Sequence, residues 1–230
     1  MRSRKSEGRV TTRVFLVRHG STVLSVEDRF AGRTNAALSD QGREQAQSLA
    51  KRLAKESLSA FYASPLDRTM ETASMLANPH QKPVQSDPAF REIDHGVWEG
   101  LTRHEAETKF GEMYARWEAD PFNYAPDGGE SGLSVTARAM PALLSLVEKH
   151  AGETICVISH KATIRLLLSA VLGYIFGGTT LHIWFVGHIL CLCLCAGMLG
   201  TPRGVSYPCP CGLPQWSFAF GILSSIAGGP

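Results

Sequence analysis

Three short apolar runs constrain this chain more than anything else in it. Val14-Phe15-Leu16-Val17 stops at Arg18-His19-Gly20, residues 58–63 stop at Ser64-Pro65, and Thr154-Ile155-Cys156-Val157-Ile158 stops at Ser159-His160. Each run is too short for a helix and lacks a polar alternate face, so each predicts a strand buried on both sides, as in a parallel sheet with helices on either face. Ligands of such sheets sit beyond the carboxyl ends of the strands. Arg18, His19, Arg68 in the first turn of a helix predicted to run to Leu76, and His160 are therefore expected at one place. Helix N-termini beside them would add free backbone N–H groups and a favourable dipole, and the guest suited to that set is a phosphate.

The segments between the runs fit the same architecture. Residues 39–56 read as a helix capped by Ser39, with Ala46, Leu49, Ala50 and Leu53 on one face. Glu130-Ser131 opens a second long helix, to about residue 150, whose inner side carries Val135, Ala139, Leu143, Leu146 and Val147. Between them, Phe110, Met113, Tyr114 and Trp117 recur at helical spacing within residues 101–119, a stripe that reads as core, and residues 121–129 read as a loop. Strands alternating with helices predict an α/β fold, a three-layer sandwich around a mainly parallel sheet. One domain, residues 13–173, accounts for it.

Both ends of the chain differ from this body. Residues 1–12 carry Arg2, Arg4, Lys5 and Arg9 against one acid, Glu7, and read as a disordered basic arm without the apolar core of a signal peptide. A cytoplasmic location follows, with a short organelle-targeting arm as the alternative. Residues 174–230 hold no Lys, Asp or Glu and one Arg, Arg203, yet five of the six cysteines: Cys191, Cys193, Cys195, Cys209 and Cys211. The segment 183–199 is apolar enough to raise a membrane tail, but it sits at the short limit for a span and has no basic flank. The preferred reading is an aberrant tail, from a retained intron or shifted frame, leaving the last edge strand of the sheet missing or replaced. Net charge of +2 is too small to argue for nucleic acid.

Taken together, Arg18-His19-Gly20-Ser21-Thr22, Arg29-Phe30-Ala31-Gly32, Leu38-Ser39-Asp40-Gln41-Gly42, Ala63-Ser64-Pro65-Leu66-Asp67-Arg68-Thr69, residues 91–100 from Arg91-Glu92 to Glu99-Gly100, Gly128-Gly129-Glu130-Ser131 and Ser159-His160 resemble the histidine phosphatase superfamily, also called phosphoglycerate mutase-like, in order and spacing. The likeness runs from about residue 13 to 173. It implies that His19 takes the phosphoryl group as a phosphohistidine, that Glu92 donates and then removes a proton, and that Arg18, Arg68 and His160 clamp the phosphate. His19 must be unprotonated to attack, and neighbouring guanidinium groups would favour that form.

Thr22 and Ser25 are the expected substrate-contacting hydroxyls, although Leu24-Ser25 departs from the Trp-Asn of the mutases and removes an amide. Asp94 and Glu99 are expected outside the chemistry, and His95 reads as a solvated loop residue, with contact to the substrate as the alternative. His80, His95, His104 and His150 lie at unrelated spacings, so neither a metal nor another cofactor is expected. The implied activity is hydrolysis of a small phosphorylated metabolite. Two alternatives stand beside it: a mutase, disfavoured by the short segment after Gly100, and a non-catalytic or membrane-tethered binder.

Overall fold

The computed structural model describes residues 11–173 and the backbone of two further strands at 180–186 and 189–195. By compactness the chain divides into Met1–Leu199 and Gly200–Pro230, and every described residue belongs to the first unit. Most of the basic arm, residues 1–10, and the tail beyond residue 195 lie outside the described residues, as does part of the apolar segment 183–199.

Strands and helices alternate as expected: β1 (Thr11–Arg18), α1 (Val23–Val26), α2 (Asp40–Leu53), β2 (Ala60–Ala63), α3 (Asp67–Ala77), β3 (Val84–Ser86), α4 (Arg103–Lys109), α5 (Gly111–Ala119), α6 (Gly132–Lys149), β4 (Thr154–Ser159), α7 (Lys161–Gly173), β5 (Thr180–Val186) and β6 (Ile189–Cys195). The sheet order is β3-β2-β4-β1-β6-β5. β3, β2, β4 and β1 run parallel, and β6 and β5 pair antiparallel on the β1 side.

Period-two alternation along the buried strands makes the three layers. Val14, Leu16, Tyr62, Ile155 and Val157 point to one face, where they pack with Ala139, Leu143 and Leu146 of α6 and Ile164 and Leu167 of α7. Phe15, Val17, Phe61, Ala63, Cys156 and Ile158 point to the other, against Ala46, Ala50 and Leu53 of α2 and Ala73 and Leu76 of α3. Each strand therefore buries both sets of side chains, which is why its sequence carries no polar face. Ser39 caps α2 as expected, its Oγ accepting from Gly42 N, and at the start of α6 Ser131 Oγ accepts from Ser134 N.

Four features differ from the sequence reading. β1 begins at Thr11, because Thr12 is buried with its hydroxyl donating to Val147 O and His150 O, so the arm is shorter than residues 1–12. β3 escaped notice because Val84-Gln85-Ser86 is three residues long and mostly exposed. The segment 101–119 is two helices broken at Phe110, whose aromatic stripe joins Phe30, Trp98 and Tyr114 in a separate small core.

The fourth concerns the sheet edge, expected to be missing or replaced by the tail: strands from the tail itself form it. β6 pairs with β1 from Thr11↔Cys195 to Val17↔Ile189, and β5 closes the edge. Part of the segment considered as a membrane tail thus has strand backbone, and no described helix is long and apolar enough to cross a membrane.

Candidate active site

Parallel register brings the strand ends level, with Arg18 opposite Ser159 and Ala63 opposite Ile158. The residues that follow these ends form one cluster. His19 N donates to Ser159 O at 3.1 Å, and Gly20 N donates to Thr72 Oγ1 at 3.2 Å, which ties the turn after β1 to β4 and α3. The start of α2 packs onto the same turn. A Cβ on Gly20 would stand 2.3 Å from Gly42 O, and one on Gly42 would stand 2.1 Å from Ser21 O, so the two backbones meet only because both residues are glycine.

His19 Nδ1 lies 2.7 Å from Gly20 O. A carbonyl accepts only, so Nδ1 carries the hydrogen and Nε2 keeps the lone pair. Burial, with Arg68 and Arg18 acting in the same sense and the Gly20 hydrogen bond against it, lowers the pKa of His19 from 6.5 to about 3. The guanidinium groups expected to favour neutral His19 do so, but desolvation contributes more. His160 stands beside it with ring centroids 5.1 Å apart, fully buried, its Nε2 2.7 Å from Ser64 Oγ. Burial first, then His19 and Arg68, hold His160 well below its ordinary pKa.

Arg68 is 1 % exposed and is aimed by the loop after α1: Nη1 donates to Thr34 O at 2.8 Å and Nη2 to Gly32 O at 2.9 Å. Burial lowers its pKa, against the opposing charges of Glu92 and Glu99. Arg68 Nε and His160 Nδ1 are buried without a hydrogen-bond partner. Two buried polar atoms left unpaired beside His19 are what an anion-binding recess leaves for its guest. Arg18, His19, Thr22, Arg68 and Glu92 line a cavity of about 540 Å³.

Glu92 does not pair with Arg91. Its Oε1 accepts from Ile93 N at 3.1 Å, Thr163 N at 3.2 Å and Thr163 Oγ1 at 3.3 Å, whereas Oε2 has one long contact, 3.4 Å, from Ala162 N. The first turn of α7 thus holds one oxygen and leaves the other for a ligand. Thr22 is buried, and its Oγ1 accepts from Ser25 N.

Ser25 lines the same cavity, and its hydroxyl donates to Thr22 O and accepts from Thr22 N, both at 2.8 Å, which caps α1. His95 departs from its expectation as a solvated residue. Its ring lies 4.6 Å from that of Phe30, it lines the cavity, and burial, opposed by Asp94 and aided by Arg103, lowers its pKa to about 4. Asp94 pairs with Arg33, and Glu99 binds Arg33 N, Thr34 N and Thr34 Oγ1, holding the loop that aims Arg68.

Sequence reasoning missed Ser64 and Thr163. Ser64 lies at a strand end like the residues that were found, so its place carried a usable signal. Among the described residues no group of three His, Cys, Asp or Glu is arranged to hold a metal ion.

A mainly parallel α/β/α sheet carries, at and just beyond its strand ends, a cavity lined by His19, Arg18, Arg68 and Glu92 with His160 stacked beside His19, an arrangement suited to handling a phosphoryl group. The chain belongs to the histidine phosphatase superfamily, branch 1, whose family model matches residues 14–183, ten residues beyond the limit read from the motifs. It is 35 % identical over 161 residues to phosphoserine phosphatase 1 of Hydrogenobacter thermophilus, covering 70 % of this chain and 76 % of that one. It is 32 % identical to the glucosyl-3-phosphoglycerate phosphatase of Mycolicibacterium vanbaalenii over 168 residues, 70 % of this chain and 74 % of that one.

Among solved structures, Bacillus stearothermophilus YhfR superposes with a TM-score of 0.68 at 32 % identity, over 78 % of this chain and 94 % of that one. Some relatives are longer: the chain spans 44 % of a bifunctional protein of Mycobacterium tuberculosis to which it is 36 % identical over 162 residues, 70 % of this chain.

Proposed function

We propose that this chain hydrolyses a phosphate monoester in two displacements through a phosphohistidine on His19. His19 Nε2 attacks phosphorus and the P–O bond to the leaving group breaks, with Glu92 passing its proton to the departing oxygen. Glu92 then takes a proton from water, the water oxygen attacks phosphorus, and the P–N bond breaks to release inorganic phosphate. Arg18, Arg68 and His160 hold the non-bridging oxygens throughout, which is where phosphoryl transfer needs most help. The observation that carries the proposal is the Nδ1 hydrogen bond of His19 to Gly20 O, since it supports a lone pair on Nε2 at neutral pH.

Cavity composition supports a class of substrate. Beyond the phosphate end the walls carry Phe30, Trp117 and Phe122 together with Arg103, Lys161 and Arg165, none of which forms an ion pair with a described residue. A phosphorylated metabolite whose leaving group has an apolar body and a second anionic group fits such walls.

A panel of phosphate esters, followed by phosphate release and by acid-labile label on the protein, tests the proposal. Label and turnover in the wild type, both lost in His19→Ala, are expected. Isomerisation without phosphate release would replace hydrolysis by mutase chemistry, and binding without label would reduce the chain to a binder.

A further inference from the structure

Glu92 lies on irregular backbone between the turns at Pro88–Phe90 and Gly96–Trp98, where neither helix nor strand fixes it. Such a side chain stands only as firmly as its surroundings hold it. The first turn of α7 holds the carboxylate, and one guanidinium holds three of the backbone carbonyls around it. Arg138, on α6, donates Nη1 to Ala89 O at 2.6 Å and to Arg91 O at 3.0 Å, and Nη2 to Glu92 O at 3.1 Å.

Its remaining N–H groups face Glu130: Nε to Oε1 and Nη2 to Oε2, both at 2.9 Å. All five donors of the side chain are thereby engaged. Glu130 extends the tie, since its Oε2 accepts from Asp94 N at 3.1 Å and its own N–H donates to Asp94 O at 2.8 Å. Behind Arg138, α6 is anchored in the core by Ala139, Met140 and Leu143.

We infer that Arg138, braced by Glu130, is the positioning residue that sets where the Glu92 carboxyl stands when it transfers its proton. The inference rests on the proposed acid role of Glu92. Three carbonyls of residues 89–92 accept from a single planar fork, and a lysine, which presents a point charge on a flexible stem, cannot reproduce that pattern. Loss of the fork would leave fold and phosphate clamp in place and displace the proton donor.

The experiment measures phosphohistidine formation by rapid quench with aryl phosphates spanning a wide range of leaving-group acidity, in the full chain. Glu92→Gln serves as benchmark, and Arg138→Lys and Glu130→Gln are the tests. In both test variants transfer from the poorest leaving groups should slow about 10- to 100-fold, the scale of a catalytic group misplaced by about 1 Å. The most acidic leaving groups, which need no proton, should change less than about threefold. Apparent KM should hold, and added guanidinium should restore part of the rate in Arg138→Ala.

A steepened dependence in Glu92→Gln beside a wild-type dependence in folded Arg138→Lys would overturn the positioning role alone. An unaltered dependence in Glu92→Gln would overturn the acid assignment and this inference with it. If Arg138→Lys fails to fold, Glu130→Gln carries the same comparison.

Discussion

Acidification should destabilise this protein through its own nucleophile, and replacing His19 should relieve that share of the loss. In the unfolded chain the imidazole titrates at the ordinary 6.5, whereas burial beside Arg68 and Arg18 lowers it to about 3 in the fold. Above pH 6.5 neither state binds the proton and the stabilisation is complete. As pH falls from 6.5 toward 3 the unfolded chain takes up a proton that the folded one refuses, so stability drains across that window and levels off below it. Between pH 7 and about pH 4.5, two-state linkage with these values gives a loss of roughly 2.5 kcal/mol from His19 alone.

The assay is urea unfolding at both pH values in phosphate-free buffer, for wild type and His19→Gln. With a urea m-value of about 2.5 kcal/mol/M, the midpoint of the wild type should move down about 1 M more than that of the variant. His95, whose pKa is also lowered, contributes to both proteins and cancels in the difference, and burial, the largest cause of the lowering at His160, is common to both. Parallel midpoint shifts in the two proteins would refute the reasoning. The same depressed pKa predicts that phosphohistidine formation shows no acid limb near pH 6.5 attributable to His19.

Gly42→Ala would drive a Cβ to 2.1 Å from Ser21 O, and should cost about 1–3 kcal/mol in thermal or urea unfolding while lowering turnover, because the displaced turn carries the nucleophile. Arg68→Lys leaves the carbonyls of Gly32 and Thr34 without their donors, and should reduce kcat by about 10²-fold or more in a steady-state phosphatase assay. Trp117→Ala should raise KM for bulky anionic esters and leave small aryl phosphates little changed, which a two-substrate comparison reads directly. Truncation after Gly173 removes β6 and β5 and exposes the paired edge of β1, so size-exclusion chromatography should show aggregation rather than a soluble core.

Much of this molecule was legible in its sequence because the signals were local. An unbroken apolar run such as Val14 to Val17 can be buried only from both sides, and a polar residue at its end can only lie at the rim of the sheet. That is enough to place Arg18, His19 and His160 together, and the histidine phosphatase motifs name the remaining partners. Ser39 was readable as a cap for the same reason, since a cap is decided within a single turn of helix.

Everything that depends on residues far apart in the chain had to await the tertiary structure. His95 looked solvated until Phe30, 65 positions earlier, packed against its ring. Composition made residues 180–195 look foreign to the fold, yet backbone pairing carries no composition signal, and β6 lies along β1. Sequence by itself determined the layers and the identity of the groups at the rim, because hydrophobic periodicity and strand ends are properties of a few consecutive residues. Tertiary structure alone decided which nitrogen of His19 is free, which oxygen of Glu92 is unclaimed and what holds the loop beneath it, because a hydrogen bond depends on distances that only the folded chain sets.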